Sequence, residues 1–358
     1  MSPRREKAVV AMSGGVDSSV AAALLVERGY AVIGVTMIVP VEGAAGRPGK
    51  SVEDAAAVAK HLGISHHVAD VRSRFESRIV RDFCREYAAG RTPNPCVRCN
   101  RLVKFDLLGK MAETLGAAVL ATGHYARTEY DPPGRIHRLK KGRSRLKDQS
   151  YFLYGLGQRE LSRAVFPVGE LTKAEVRKLA RAAGLPAARS EESQEICFIP
   201  DDDYPRYLAS RVPGAFLPGP ILDRTGRVLG SHGGIGRYTV GQRRGLGIAA
   251  SRPLYVVAIE AGSNAIVAGP DEDLYRRCLR ATNVRWVSGL PPDSPASLKA
   301  RIRYRHRESA ALVSPEGKSR ARVEFRAPQR AVTPGQSVVF YRNDEVVGGG
   351  VIDAVLDD

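Results

Sequence analysis

The chain has 358 residues and is 43% hydrophobic, more than one core usually takes in, so two or three domains are expected. Lys and Arg outnumber Asp and Glu 55 to 38, for a net charge of +17 and a pI near 9.9, which predicts a polyanionic partner such as nucleic acid. No apolar run approaches the ~18 residues of a membrane span and no signal peptide is present, so a cytoplasmic protein without a membrane partner is expected. Five cysteines, an odd number, argue against a disulfide framework and for chemistry or metal in a reducing compartment.

Residues 7–12 read as an apolar strand and 18–28 as a helix, joined by Ser13-Gly14-Gly15-Val16-Asp17-Ser18. Two glycines let backbone N–H groups approach an anion, the Ser13, Ser18 and Ser19 hydroxyls can donate, and the helix presents its positive end. The turn therefore predicts a phosphate site. No Gly-Lys-Ser/Thr follows, so it is not a Walker loop. Residues 31–37 read as a buried strand, Ser51-Val52-Glu53-Asp54 as the capped start of a helix reaching His61, and 66–71 as a strand. Residues 75–89 and 105–115 read as helices and 117–121 as another strand. This alternation predicts an α/β fold, a doubly wound parallel sheet with ligands at the carboxyl ends of its strands, where Ser13 and Gly123 both lie. Thr172-Lys173-Ala174-Glu175 is a capping box for a helix ending near Gly184, and Pro186 breaks the pattern after it. A first domain is expected over 1–203. Residues 220–229 around Thr225-Gly226, 254–260, 264–268 and 280–286 read as short hairpin strands, placing a small, mainly β central domain at 204–275. Further strands at 300–304, 321–325 and 337–342 predict a C-terminal β-barrel over 276–358. There is no internal repeat.

Thr92-Pro93-Asn94-Pro95-Cys96-Val97-Arg98-Cys99-Asn100 reads as a rigid, extended segment, since two prolines fix their own backbone and bias the residues before them away from helix. Arg98, Arg101 and Lys104 lie close in sequence, so a thiol here is expected to ionise below the usual ~8.5. Cys96 and Cys99 also have metal-ligand spacing, but without a second Cys-x-x-Cys or a His pair a closed zinc site is disfavoured. Cys197, in Ser193-Gln194-Glu195-Ile196-Cys197-Phe198-Ile199-Pro200, is a third candidate on a loop. Cys84 shares a helical face with Ile79, Val80, Phe83 and Tyr87 and reads as core, as does Cys278. Arg301-Ile302-Arg303-Tyr304-Arg305-His306-Arg307 alternates as a strand with four arginines on one face, which suits a phosphate backbone.

The phosphate turn resembles the PP-loop of ATP pyrophosphatases. Together with residues 92–105, Ala121-Thr122-Gly123-His124-Tyr125-Ala126, Lys147-Asp148-Gln149-Ser150-Tyr151, 193–200, 238–247 and Pro334-Gly335-Gln336-Ser337, it makes nearly the whole chain resemble the bacterial tRNA-specific 2-thiouridylases. That resemblance implies an ATP-dependent enzyme that adenylates wobble uridine 34 of tRNA at O2 and replaces this oxygen with sulfur. It implies that Ala11, Met12, Ser13, Gly14, Gly15, Val16, Asp17, Ser18, Met37 and Gly123 bind ATP, with Asp17 helping to hold Mg2+. It makes Cys197 the persulfide carrier and Cys99 the second catalytic cysteine, joined in a transient disulfide. It puts Asn94, Pro95, Cys96, His124, Lys147, Asp148, Gln149, Arg303, Tyr304 and Gln336 at tRNA-contacting positions. Implied partners are glutamate, glutamine and lysine tRNAs and a cysteine desulfurase or sulfur-relay protein, with the enzyme a monomer. Many members carry aspartate where this chain has Cys96, as a proton acceptor for the catalytic cysteine; if such a base is needed here it comes from elsewhere, the Cys96 thiolate itself being one candidate. Three readings stay open beside the persulfide enzyme: an iron-sulfur cluster held by Cys96, Cys99 and Cys197, a small-molecule ATP pyrophosphatase, and a non-catalytic RNA-binding protein.

Overall fold

The computed structural model describes residues 5–41, 49–190, 196–199, 201 and 203–356. Ser193, Gln194, Glu195 and Pro200 of the Cys197 motif lie outside the described residues. Strand β1 (Lys7–Ala11) is central in a five-stranded sheet, with β2 (Ala31–Ile38) and then β3 (Ser65–Asp70) on one side, and β4 (Val119–Thr122) and then β7 (Ala164–Val165) on the other. Every pairing is parallel. A parallel sheet covered on both faces demands continuous apolar strands, and Ala8, Val9 and Val10 of β1 are all fully buried. One face packs against helices Val16–Glu27, Lys50–Leu62 and Lys173–Ala182 through Val20, Leu25, Val58 and Val176. The other packs against the helical stretch 95–114 through Val97, Phe105 and Leu108. The doubly wound α/β fold is as expected.

Three local expectations need correction. The helix Lys50–Leu62 is capped by Gly49 without a side-chain bond, and Ser51 lies inside its first turn. Residues 92–100 are not extended throughout, because Pro95–Cys99 is already helical. The prolines act as start signals: Asn94, held extended before a proline, is the N-cap and accepts from Val97 N, while Pro95 sits at the first position, where no N–H is needed. Residues 301–307 are not a strand either. Strand β13 (Ala296–Arg301) stops at Arg301 and the chain turns, so the arginines share no face. The Thr172 capping box forms as expected, with Glu175 Oε2 accepting from Thr172 N at 2.6 Å.

The central unit is a four-stranded sheet in which β8 (Gly219–Leu222) lies between β9 (Val228–His232) and β11 (Ala265–Gly269), with β10 (Tyr255–Glu260) outside β11. The C-terminal unit is a closed six-stranded barrel, β12 (Tyr275–Trp286), β15 (Ala321–Arg330), β14 (Ser309–Pro315), β13, β16 (Ser337–Arg342) and β17 (Glu345–Leu356), with β17 returning to β12. Closure pairs the barrel strands with one another and leaves only the start of β17, beyond its pairing with β12, open to a further strand. One connection was not legible in the sequence. The hairpin β5 (Ala126–Asp131) and β6 (Ile136–Lys141) leaves the first domain after β4, and β6 pairs with β17 through Lys140↔Glu345 and Leu139↔Val346. Among the described residues no helix is long and apolar enough to cross a membrane.

The three units meet at Thr92, just before the cysteine helix. Its N–H donates to Pro334 O at 2.9 Å, its carbonyl accepts from Gln336 Nε2 at 2.9 Å, and its hydroxyl donates to Thr239 Oγ1 at 3.1 Å. Gly335 has φ +92°, and a Cβ there would come within 2.8 Å of Thr92 N. Gly335→Ala is therefore expected to destabilise the protein by about 1–3 kcal/mol, read as a lower urea midpoint. An unchanged midpoint would show that this contact does not hold the units together.

Candidate active site

The loop after β1 closes on itself. Ser18 Oγ donates to Gly15 O at 3.0 Å and Ser19 Oγ donates to the same oxygen at 2.9 Å. Those two hydroxyls serve the loop and not an anion, which corrects the expectation that both would donate outward; Ser13 alone of the three is exposed. The helix starts at Val16 instead of Ser18, and its N-cap Gly15 offers no side-chain acceptor. The first-turn N–H groups keep their donors for a ligand. Gly14 has φ +76° and lies below the loop, where a Cβ would meet Asp54 Cβ at 2.7 Å. Gly123, at the end of β4, approaches the helix so closely that a Cβ would lie 2.6 Å from Ser18 N.

This loop forms one wall of a cleft of about 1110 Å3. Ala11, Met12, Ser13, Gly15, Val16, Asp17, Ser18, Met37 and Gly123 line it, and Gly14 does not. Two further residues meet there that sequence reasoning did not assign to the site. Lys173 Nζ donates to both Asp17 oxygens at 2.8 Å, and Tyr125 OH donates to Asp17 Oδ1 at 2.7 Å. Lys173 stands at the start of the capping-box helix, 156 residues from Asp17. A lysine thus reaches the phosphate loop after all, from another segment.

The rest of the lining includes Cys96, Lys104, His124, Lys147, Gln149, Arg303, Tyr304 and Gln336. Tyr304 packs on Phe152 with ring centroids 4.4 Å apart, and the two present an aromatic surface to the cleft. Burial, with Lys104 nearby, holds the His124 imidazole well below its usual value, so it is neutral at pH 7. Its Nδ1 hydrogen-bonds Thr122 Oγ1 at 2.7 Å. Asp148 departs from the expectation of a direct RNA contact. It is 3% exposed and accepts from Gly142 N and Ser150 N, both at 3.1 Å, so it fastens the loop that aims Lys147 and Gln149 at the cleft. Asn94 and the buried Pro95 shape the start of the cysteine helix and do not line the cleft.

The thiols of Cys96, Cys99 and Cys197 lie within electrostatic reach of one another. Cys96 and Cys197 are exposed and Cys99 is half-buried, yet the protein packed around the sulfurs displaces part of their hydration: this desolvation pushes the Cys99 thiol up to about 11 and the Cys197 thiol to about 12 and raises the Cys96 thiol too, while Lys104 opposes the shift at all three. The expected depression of a thiol pKa therefore does not occur in the free protein. Arg98 turns away to Asp82, with Nε 2.8 Å from Oδ2, and Arg101 faces Arg285 and Tyr154. Of the three cations only Lys104 acts on the thiols, because the π-turn Asn100–Phe105 brings side chains five residues apart, such as Cys99 and Lys104, to one side of the helix. Cys84 and Cys278 are buried packing residues, as expected. Among the described residues no three His, Cys, Asp or Glu side chains converge to hold a metal ion. The thiols thus do not fit a preassembled iron-sulfur site.

Three family models match the chain: a tRNA methyl transferase HUP domain over residues 6–201, a tRNA methyl transferase PRC-barrel domain over 206–270 and an aminomethyltransferase beta-barrel domain over 276–352. Among similar proteins, the tRNA-specific 2-thiouridylase MnmA of Heliobacterium modesticaldum is 50% identical over 99% of this chain and 94% of its own length. That of Pelotomaculum thermopropionicum is 48% identical over 99% of both chains, and that of Pelobacter propionicus 50% over 98% of both. With a cleft that joins a phosphate loop to clustered thiols, and with half of its residues shared along its full length, this chain belongs to the tRNA-specific 2-thiouridylase family.

Proposed function

We propose that the protein is an ATP-dependent tRNA sulfurtransferase that converts uridine 34 to 2-thiouridine. The observation that carries this reading is the shared cleft, with an uncapped helix N-terminus on one wall and three neighbouring thiols beside the rest of the lining. A small-molecule pyrophosphatase needs neither the thiols nor the net charge of +17, and a non-catalytic RNA binder needs no intact phosphate loop. The work divides among domains that we place at 1–203, 204–275 and 276–358. Glutamate, glutamine and lysine tRNAs are the acceptors, a cysteine desulfurase or sulfur-relay protein supplies sulfur, and the enzyme acts as a cytoplasmic monomer.

Uridine C2 is an amide-like carbonyl with a poor leaving oxygen, so that oxygen must be activated first. ATP lies with its phosphates on the Ser13–Ser18 loop, and Met37 and Gly123 bound the adenosine side. O2 attacks the α-phosphate as N3 gives up its proton to cleft water; pyrophosphate leaves, its charge met by the first-turn N–H groups and by Lys173. Asp17 keeps an acceptor position beyond those used by Lys173 and Tyr125, so its carboxylate would hold Mg2+. Bound there, Mg2+ supplies further neutralisation of phosphate charge. The terminal sulfur of a Cys197 persulfide attacks C2, and the C2–O2 bond breaks to release AMP carrying that oxygen. Cys99 sheds its proton to cleft water, and its thiolate attacks Cys197 Sγ. The S–S electron pair moves to the sulfur on C2, N3 regains a proton, and 2-thiouridine leaves a Cys99–Cys197 disulfide for an external dithiol to reduce. The base reaches this site only when turned out of the anticodon loop, where Tyr304 and Phe152 offer a stacking surface.

Asp17→Ala should cut tRNA-dependent pyrophosphate release by about 100-fold or more while tRNA affinity stays within about twofold, because the loop is separate from the basic surface. Normal release by this variant contradicts the loop assignment. Cys99→Ser and Cys197→Ser should both lose thiolation and keep pyrophosphate release. Cys96→Ser should retain partial thiolation; complete loss accompanied by loss of bound iron would instead make all three thiols ligands of one cluster.

A raised thiol pKa means a neutral thiol at pH 7 and a thiolate fraction that grows with pH. With Cys96 and Cys197 replaced by serine, alkylation of Cys99 should climb roughly tenfold per pH unit through pH 9. A plateau below about pH 8.5 would contradict the desolvation argument.

A further inference from the structure

We propose that a basic trough beside the reaction cleft seats phosphodiester groups of the RNA strand flanking the target nucleotide, with Arg145 and Lys299 as its phosphate contacts. The proposal rests on the reading that an RNA base enters the cleft. The trough is a separate cavity of about 560 Å3 between the loop that follows β6 and the barrel, lined by six cationic side chains and three carboxylates. All three carboxylates are engaged internally. Glu308 pairs with Lys141 and Arg301, each at 2.7 Å, Asp344 pairs with Arg127 at 2.8 Å, and Asp148 is tied to backbone N–H groups and to Arg301 at 3.5 Å. Arg145 and Lys299 are exposed and, among the described residues, have no ion-pair partner. They approach the trough from different units, Arg145 from the loop after β6 and Lys299 from β13.

The trough and the cleft are neighbours across one narrow partition. On the loop, Lys147 and Gln149 line the cleft while Asp148 between them lines the trough. At the end of β13 the same alternation recurs, with Arg301, its last residue, on the trough and Arg303 on the cleft. A nucleotide whose base fills the cleft leaves its phosphates at the rim, and the next phosphates along the strand fall at the trough. Pockets for small organic ligands are mostly apolar, whereas this lining is almost wholly charged with a cationic excess, which is what a phosphate backbone selects. A backbone contact of this kind sets register without reading sequence.

The test uses the full-length protein, a minimal anticodon stem-loop RNA and intact tRNA, with Arg145→Ala, Lys299→Ala and the double variant. Each single change should weaken stem-loop binding about three- to tenfold near 0.1 M salt and reduce the slope of log K against log salt by about 1, and the double by about 2. The loss should appear in KM for the RNA and not in kcat, with KM for ATP unmoved. Unchanged stem-loop affinity and slope would overturn the proposal and leave the trough a solvated face. A loss seen with intact tRNA alone would overturn it too, since the contact would then be with a distant part of the RNA. A shift in KM for ATP, or binding of inorganic phosphate that these variants abolish without effect on RNA, would make it a free-anion site instead. Failure of wild-type protein to thiolate would refute the functional reading yet leave this binding measurement interpretable.

Discussion

The close approach of β4 to the N-terminus of helix Val16–Glu27 is the constraint on which the site depends. At Gly123 a Cβ would stand 2.6 Å from Ser18 N and 2.7 Å from the Asp17 carbonyl carbon, so only a residue without one lets the strand end and the helix start meet. That contact fixes Asp17 where Tyr125, two residues beyond Gly123, and Lys173 can both reach it. It leaves the first-turn N–H groups facing the cleft and not a neighbouring strand. The phosphate site is therefore a product of sheet and helix packing, and the Ser18 and Ser19 hydroxyls hold its shape instead of its ligand.

The sulfur chemistry is set by a balance between desolvation and one cation. Desolvation by the surrounding protein raises all three thiols, and Lys104 works against that rise at each. Neutral thiols are protected from adventitious oxidation and alkylation, since the thiolate is the reactive form. Thr92 supplies a structural counterpart: the barrel and the central unit both grip the residue that precedes the cysteine helix. The units expected to hold RNA are thereby fastened to the element that carries Cys96 and Cys99.

What the sequence disclosed follows from how local each signal is. The phosphate loop, the alternation of strands and helices, and the Thr172 capping box are encoded within a few residues, and all three appear in the structure. Pro95 was misread because proline both breaks and begins helices; Asn94 just before it is the cue for a beginning. The period-two pattern of 301–307 imitated a strand, but the barrel register ends at Arg301. Lys173, Tyr125 and the β6–β17 pairing join segments more than a hundred residues apart, and no local pattern records such meetings. The inward turn of Lys104 depends on a π-turn, a one-residue insertion that helical periodicity hides.

The central claim is that uridine O2 is adenylated and departs with AMP before sulfur takes its place. The direct measurement is the fate of that oxygen. tRNA carrying 18O at O2 of uridine 34 is thiolated in a single turnover with unlabelled ATP in unlabelled water, and the AMP is weighed by mass spectrometry. The account requires one 18O in the α-phosphate of each AMP formed. Unlabelled AMP alongside completed thiolation would mean that O2 never attacked phosphorus, and the phosphate loop would need a different role.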